Sequence, residues 1–313
     1  MYYKLLSKAI NKKKNKSEVT NDILNETLHH IIENFPFSTF PYICSHMNSS
    51  ESSKHLKSGN CIALCMAGQN YLKEKYNIVS YIIPASVPKI FQKPGYLHIS
   101  HVALFVPQDK TLGYILDFAF YFSEAIKVHL DNYTDDFYTK MQNIYENHEE
   151  NLKYKLHILK KKKTFNNYQE FPKNTKYLEI CYINDNPDCW NYYLREIINP
   201  DKAITNFYIQ LNRKPFLCLV DNNYKIKLYI KFSDNNNVTI RHSDETIYDG
   251  NLDKIPHSIK GFMEPMINKY LNYDIPFYFN KLDPNGNHHF KDSRKSLKRS
   301  KKKKKSRTRK NKN

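Results

Sequence analysis

The sequence predicts an α+β fold in which N-terminal helices pack on an antiparallel sheet or small barrel. Apolar residues at helical spacing over residues 18–34, and again from Cys61 onward, predict the helices. Two apolar runs at 99–107 and 113–122, joined by a short polar turn, predict an antiparallel pair of strands. The chain has 313 residues, of which 40% are hydrophobic, so it can bury a sizeable core.

The N-terminal elements follow in order. Residues 1–16 form a basic arm, and residues 18–34 form an amphipathic helix with one apolar face. The prolines of FPFSTFPYI end that helix, because proline cannot continue it. Residues 44–58, rich in Ser, Asn and Lys, are predicted to form a loop that leads to a Ser-Gly-Asn turn and the helix at Cys61.

Composition divides the rest of the chain. We interpret 17–130 as the core that carries the functional residues, and the highly charged segment 131–175 as a helical insertion or linker. Short apolar runs separated by Asn, Asp and Pro make 176–283 a β-rich second part that completes the domain and ends in a helix near 256–273. Residues 284–313 are expected to be a disordered basic tail.

The net charge of +18 belongs mainly to that tail. Residues 291–313 hold fourteen Lys or Arg and one Asp, so they carry +13 and the other residues only about +5. Such a tail binds nucleic acid in a salt-dependent, sequence-blind way, because each cation that meets a phosphate releases counterions. A localisation signal, an anionic membrane surface and plain solubility are equally consistent with it.

Cysteine usage and hydropathy bear on the compartment. The six cysteines are widely spaced, the N-terminus lacks the apolar core of a secretory signal, and no apolar run approaches the length of a membrane span. We therefore expect free thiols in a reducing, intracellular compartment. The Lys-, Asn- and Tyr-rich composition with a basic tail resembles proteins of giant DNA viruses of amoebae, which implies the cytoplasm or nucleus of a host, or the virion.

Cys61 is the candidate nucleophile. It begins a helical pattern directly after a Gly-Asn pair, and a helix N-terminus favours the thiolate. The turn also brings backbone N–H groups near the sulfur, where they can bind an oxyanion. Cys65 lies one turn later, and we expect it to be a core residue. The seven glycines form no GxxxxGK[ST] or GxGxxG motif, which excludes the common phosphate-binding loops.

A histidine and an aspartate follow on the next two predicted strands. His98 and His101 are three residues apart and face opposite sides of a strand, so only one can point at the thiol. We select His101 as the base because it heads the apolar run, and His98 remains the alternative. Asp117 lies within an apolar run and must be paired, which orienting the imidazole of His101 would satisfy. A surface-facing aspartate is the competing interpretation.

These residues together resemble the transglutaminase-like cysteine superfamily, and within it the arylamine N-acetyltransferases. The matching segments follow the order of that family's motifs; they are FPFSTF (35–40), SGNC (58–61), SHVALFV (100–106) and LDFAFYF (116–122). The resemblance implies a papain- or transglutaminase-like catalytic core with Cys61 as the acylated nucleophile, His101 as its base and Asp117 as the orienting carboxylate. It also implies a thioester intermediate, a small-molecule acyl donor such as acetyl-CoA or another acyl-CoA, and an amine acceptor.

The sequence departs from that family at several positions. One glycine before Cys61 is missing, and the glycines that follow the aspartate are replaced by Ala119 and Tyr121. These positions shape the acyl-donor pocket in the family. A related protease or deamidase needs the same three residues, and a catalytically degenerate nucleic-acid-associated virion protein is the non-enzymatic alternative. We expect no metal, because the C-x3-C and H-x2-H spacings of the Cys and His residues do not match a tight zinc site.

Overall fold

Helices and three antiparallel sheets, two of them large, make up the part of the chain that the computed structural model describes, which comprises residues 18–45, 47–92, 98–165, 169–184, 187–195, 216–233 and 237–271. The basic arm at 1–16 and the tail at 284–313 lie outside these residues. Nucleic-acid contact through 291–313 therefore stays a prediction. Within the described residues, no helix is long and apolar enough to cross a membrane.

Four helices precede the first large sheet; they are α1 (Asn21–Asn34), α2 (Phe40–Ser45), α3 (Ser49–His55) and α4 (Cys61–Tyr76). The helix predicted over 18–34 is confirmed as α1, which Thr20 caps through its side chain. The loop expected over 44–58 is partly wrong, because α3 forms inside it. Asn48 and Glu51 form a reciprocal capping box that satisfies the first N–H groups of this short helix.

The strands and the last helix follow in chain order. They are β1 (Phe37–Ser38), β2 (Tyr81–Ala85), β3 (His101–Pro107), β4 (Leu112–Leu116), β5 (Ile126–His129), β6 (Phe137–Asn143), β7 (His148–Ile158), β8 (Lys163–Phe165), β9 (Gln169–Phe171), β10 (Lys176–Tyr182), β11 (Cys189–Tyr193), β12 (Phe216–Val220), β13 (Ile226–Phe232), β14 (Asn237–His242), β15 (Glu245–Asn251) and α5 (His257–Leu271). Helix α5 confirms the helix predicted near 256–273.

Eight strands form a sheet that nearly closes into a barrel, in the order β5-β4-β3-β2-β11-β10-β7-β6. The segment before β5 meets β6 through a bridge between Phe122 and Met141, and the Tyr154 hydroxyl on β7 donates to the Lys127 carbonyl on β5 at 2.8 Å. A second sheet has the order β1-β12-β13-β14-β15, and β8 pairs with β9. The predicted α+β architecture, helices on an antiparallel sheet or small barrel, is thus confirmed.

The prediction of a helical insertion over 131–175 is wrong. This segment contains β6 and β7, which pair with each other, and β7 also pairs with β10 inside the eight-stranded sheet. Leu152, Tyr154 and Leu156 are buried, while the lysines between them are more exposed. The charges therefore follow the two-residue period of a strand with one face in the core, and their density conceals that period.

The expectation that every cysteine is a free thiol is also wrong. Cys181 and Cys189 stand opposite each other on β10 and β11 and form a disulfide. Their separation of eight residues places them across a hairpin, with Cα atoms 4.1 Å apart. Cys61, Cys65 and Cys218 are free and buried.

Candidate active site

The turn before Cys61 is held by the segment that follows α1. The Ser38 N–H donates to the Gly59 carbonyl at 2.8 Å, and the Gly59 N–H donates to the Pro36 carbonyl at 3.2 Å. Gly59 has a φ of 151°, which favours glycine. A Cβ atom there would lie 2.4 Å from the Tyr42 hydroxyl oxygen and 2.6 Å from the Ala63 Cβ, so the packing also demands glycine.

Asn60 caps the helix that Cys61 begins. Its buried Oδ1 accepts the N–H groups of Ile62 and Ala63, each at 3.2 Å, and also the Ser49 hydroxyl at 2.9 Å. The N–H of Cys61 itself has no hydrogen-bond acceptor among the described residues. The first turn of α4 therefore offers one free backbone donor beside the thiol.

The side chains of Cys61, His101 and Asp117 lie close together. The imidazole Nε2 of His101 lies 2.5 Å from Oδ2 of Asp117, and the Cys61 thiol is near enough to the ring to contribute to raising the pKa of His101. Because Asp117 occupies Nε2, the other ring nitrogen, Nδ1, is the one left for the thiol. The exposed fractions of Cys61 and His101 are only 5% and 4%, so these contacts lie in the core.

Asp117 lies just beyond β4, although the sequence predicted a strand through residue 122. Its Oδ1 accepts the N–H groups of Ala119 at 3.0 Å and Phe120 at 3.2 Å, which folds the chain into a turn. The register pairs Leu104 with Leu116, so Asp117 is not directly opposite His101 and reaches the ring from the turn. Two main-chain donors thus fix the carboxylate.

Electrostatics favour a charged His101. Burial alone disfavours the imidazolium, but the charge of Asp117 and the hydrogen bond with Asp117, with smaller contributions from Cys61, outweigh it and raise the pKa of His101 to about 10. This balance favours the imidazolium form of the ring.

The alternatives weighed from the sequence lie elsewhere. The Cys65 sulfur donates to the Val102 carbonyl at 3.8 Å, and burial first, then the charges of its neighbours, raise the pKa of this thiol well above its usual range. His98 is exposed, and its Nε2 lies 2.9 Å from the Tyr193 hydroxyl. The described residues contain no group of three or more His, Cys, Asp or Glu side chains that could hold a metal ion.

Two contributors were not predicted from the sequence. The Tyr192 hydroxyl on β11 donates to Oδ2 of Asp117 at 2.6 Å, although 75 residues separate them. The Phe120 ring lies 4.4 Å from the His101 ring, between centroids, and so covers the imidazole. No local pattern marks Tyr192, since the strand order alone places β11 beside β2.

A cavity of about 360 Å³ borders the Asp117 turn. Its lining comes from both large sheets, from the β6–β7 hairpin and from the short 3₁₀ helix Lys89–Phe91. Phe120 belongs to this lining and also contacts His101, so the same ring borders the cavity and the imidazole.

Comparisons with solved structures return arylamine N-acetyltransferases. The M. smegmatis enzyme is 10% identical with a TM-score of 0.47, covering 83% of this chain and 87% of its own. An enzyme of Bacillus cereus, described as having a unique Cys-His-Glu catalytic triad, is 10% identical with a TM-score of 0.47, covering 84% and 96%. Arylamine N-acetyltransferase C of Bacillus anthracis is 15% identical with a TM-score of 0.48, covering 85% and 97%.

The structural neighbours thus belong to the family that the sequence motifs resemble, and they are distant. No protein-family model matches the chain. No curated protein matches it either. At this level of identity and superposition, the likenesses do not assign a function.

Proposed function

We propose that Cys61, His101 and Asp117 catalyse acyl transfer through a thioester on Cys61. One observation carries the proposal: a buried imidazole lies 2.5 Å from a carboxylate and has a helix-terminal thiol near enough to contribute to its raised pKa. This arrangement activates a nucleophile, orients its base and holds the resulting charge. The motif resemblance stated above agrees with it in residue order.

The first half-reaction acylates the thiol. The Cys61 thiolate attacks the acyl carbon, a C–S bond forms, and the bond from the acyl carbon to the leaving group breaks. The leaving group takes the proton of the His101 imidazolium, which becomes neutral. The unpaired N–H of Cys61 donates to the oxyanion while the tetrahedral intermediate exists.

The second half-reaction regenerates the thiolate. An amine attacks the thioester carbon, an N–C bond forms and the C–S bond breaks. Neutral His101 takes a proton from the amine and returns to the imidazolium, which Asp117 stabilises at 2.5 Å. Water in place of the amine would release a carboxylic acid, as in the protease or deamidase alternative.

The donor implied by the resemblance is acetyl-CoA or another acyl-CoA. The described residues that line the cavity include no Lys or Arg, so this part of the site offers no side-chain cation to the phosphates of coenzyme A. Tyr121 stands where the family has a glycine, and it adopts a left-handed φ of 52° with its side chain buried. We therefore assign no step of the reaction to the coenzyme.

Two measurements on the full-length protein test the proposal. Iodoacetamide at neutral pH, followed by peptide mass mapping, should label Cys61 far faster than Cys65 or Cys218. Burial raises the pKa of both comparison thiols, that of Cys218 to about 12. An activated acetyl ester should then add one acetyl group at Cys61. Equal labelling of the three thiols, or no acetylation of Cys61, would contradict the proposal.

A further inference from the structure

The cavity beside the Asp117 turn has aromatic walls on the side nearest the candidate site. Phe120 packs against His101, and Phe91 stacks on Phe120 with ring centroids 5.9 Å apart and an interplanar angle of 21°. Phe37 and Phe216 form the wall contributed by the second sheet, with centroids 6.0 Å apart. A ligand in this cavity meets several π faces, and one of them touches the candidate base.

Two carboxylates lie in the same lining. Glu146 and Glu150 come from the β6–β7 hairpin, and no Lys or Arg occurs among the described residues that line the cavity. Glu146 accepts from the Asn143 side chain at 3.2 Å, and His148 lies 3.6 Å from Glu146 and 2.7 Å from Glu150. The two carboxylates outnumber this single imidazole, so the polar side of the cavity carries a net negative charge.

We propose that this cavity binds an organic ammonium ion with an aromatic or alkyl body, and that this cation is the acyl acceptor. The inference of a binding site depends only on the cavity and its lining, whereas the acceptor role rests on the function proposed above. Ring faces attract a cation, and the two carboxylates add an attraction that the partly exposed geometry keeps modest. An anionic ligand meets repulsion from the same carboxylates.

This assignment differs from the acceptor that the family resemblance implies. An arylamine is a weak base and is neutral at pH 7, whereas an alkylamine is protonated. During transfer the ammonium loses two protons, one to neutral His101 and one to water, as the N–C bond forms and the C–S bond breaks. The products are the amide and the thiolate–imidazolium pair.

Direct binding tests the assignment on the full-length Cys61→Ser protein, which cannot form the thioester. The probes are phenethylammonium, 2-phenylethanol and phenylacetate, which share a ring and differ in charge, and calorimetry gives each Kd at pH 7. The expected result is about tenfold tighter binding of the cation than of the alcohol, with the anion weakest. Equal or tighter binding of the alcohol or the anion overturns the assignment.

A matched set of variants locates the charge effect. The double substitution Glu146→Gln and Glu150→Gln should raise the Kd of the cation about tenfold and leave the Kd of the alcohol unchanged. Glu149→Gln is the control. Glu149 lies between Glu146 and Glu150 in the sequence, but it pairs with Lys140 at 2.7 Å and does not line the cavity. A similar loss in the control, or none in the double variant, overturns the assignment.

The two proposals fail separately. Selective cation binding to the Cys61→Ser protein, together with no acetylation of wild-type Cys61, would refute the acyl-transfer proposal and support the cation-binding site. Acetylation of Cys61 without selective cation binding would support the acyl-transfer proposal and refute the organic ammonium ion as its acceptor.

Discussion

Cys61 and Cys65 occupy successive turns of one helix and have nearly the same burial, with exposed fractions of 5% and 1%. Their partners differ. Cys61 is near enough to the His101 imidazole to contribute to its raised pKa, whereas the Cys65 sulfur donates to the Val102 carbonyl. A carbonyl oxygen offers no positive charge, and burial raises the pKa of Cys65. A nucleophile in this core is therefore defined by its neighbour and not by its exposure.

The helix geometry accounts for the difference between the two turns. Four residues advance an α-helix by about 6 Å, so only Cys61 lies at the N-terminus, where unpaired N–H groups and the positive end of the dipole are found. Gly59 and Asn60 fix that terminus relative to the rest of the core.

Exchanging each thiol for alanine should produce the largest effect. Cys61→Ala should abolish covalent acetylation by an activated ester, because among the described free thiols only Cys61 contributes to the raised pKa of His101. Cys65→Ala should retain it, at a stability cost of about 1 kcal/mol for the small cavity. Intact-protein mass spectrometry measures the acetylation of both variants, and urea denaturation measures the stability of Cys65→Ala. Acetylation of the Cys61→Ala protein at the wild-type rate would contradict the distinction between the two thiols.

Asp117→Asn should lower the acylation rate by about 10²–10⁴-fold, the range of general acid–base catalysis. Burial would then dominate and lower the pKa of His101, so the imidazolium would be lost at neutral pH. Stopped-flow release of the ester's leaving group measures the rate. An unchanged rate would show that Asp117 has no part in activating Cys61.

The Asp117→Asn substitution should also change how the free energy of unfolding depends on pH. In the wild-type protein the folded pKa of His101 is about 10, above the unfolded value, so its contribution is complete below about pH 6.5 and is lost as the pH rises toward 10. Urea midpoints should fall across that interval in the wild type. Most of this decrease of the urea midpoint with pH should be absent in the Asp117→Asn protein. An identical decrease in both proteins would show that the His101–Asp117 ion pair does not stabilise the fold.

Gly59→Ala should destabilise the fold by about 1–3 kcal/mol, because the φ of 151° is strained for alanine and the added Cβ meets Tyr42 and Ala63. Gly261→Ala is the matched control, since a Cβ there meets nothing within 4 Å. It should stabilise α5 by about 0.5–1 kcal/mol. Urea denaturation measures both changes, and equal effects at the two sites would show that the turn does not need glycine.

Tyr192→Phe should have the smallest effect, about 1 kcal/mol or roughly a fivefold lower acylation rate, because Asp117 keeps three of its four donors. The rate should fall together with a shift in its pH profile, which a purely structural change would not produce. Tyr193→Phe, whose hydroxyl contacts His98 and not Asp117, is the control. A matching loss in the control would exclude a role for Tyr192 in positioning the carboxylate.

Local patterns predicted part of this molecule. The apolar spacing of α1, the helix beginning at Cys61 and the strand headed by His101 all appear where the sequence placed them. Each depends on neighbours within a few residues, through side-chain periodicity, capping and proline. The order of thiol, imidazole and carboxylate was visible for the same reason.

Misleading local signals produced the errors. The charges of 131–175 were interpreted as a helix surface, but in β7 they alternate with Leu152, Tyr154 and Leu156, which the sheet buries. Cys181 and Cys189 gave no sign of pairing until the β10–β11 register set them opposite each other.

Local sequence patterns were enough to show which residue types begin the helix and head the strand, and they pointed to Cys61, His101 and Asp117. The folded chain was needed to show that Asp117 lies beyond its strand, accepts from its own turn and accepts from Tyr192, 75 residues away. Caps and periodicity arise from adjacent residues, whereas the neighbours of a buried carboxylate depend on strand order and on packing across the whole core.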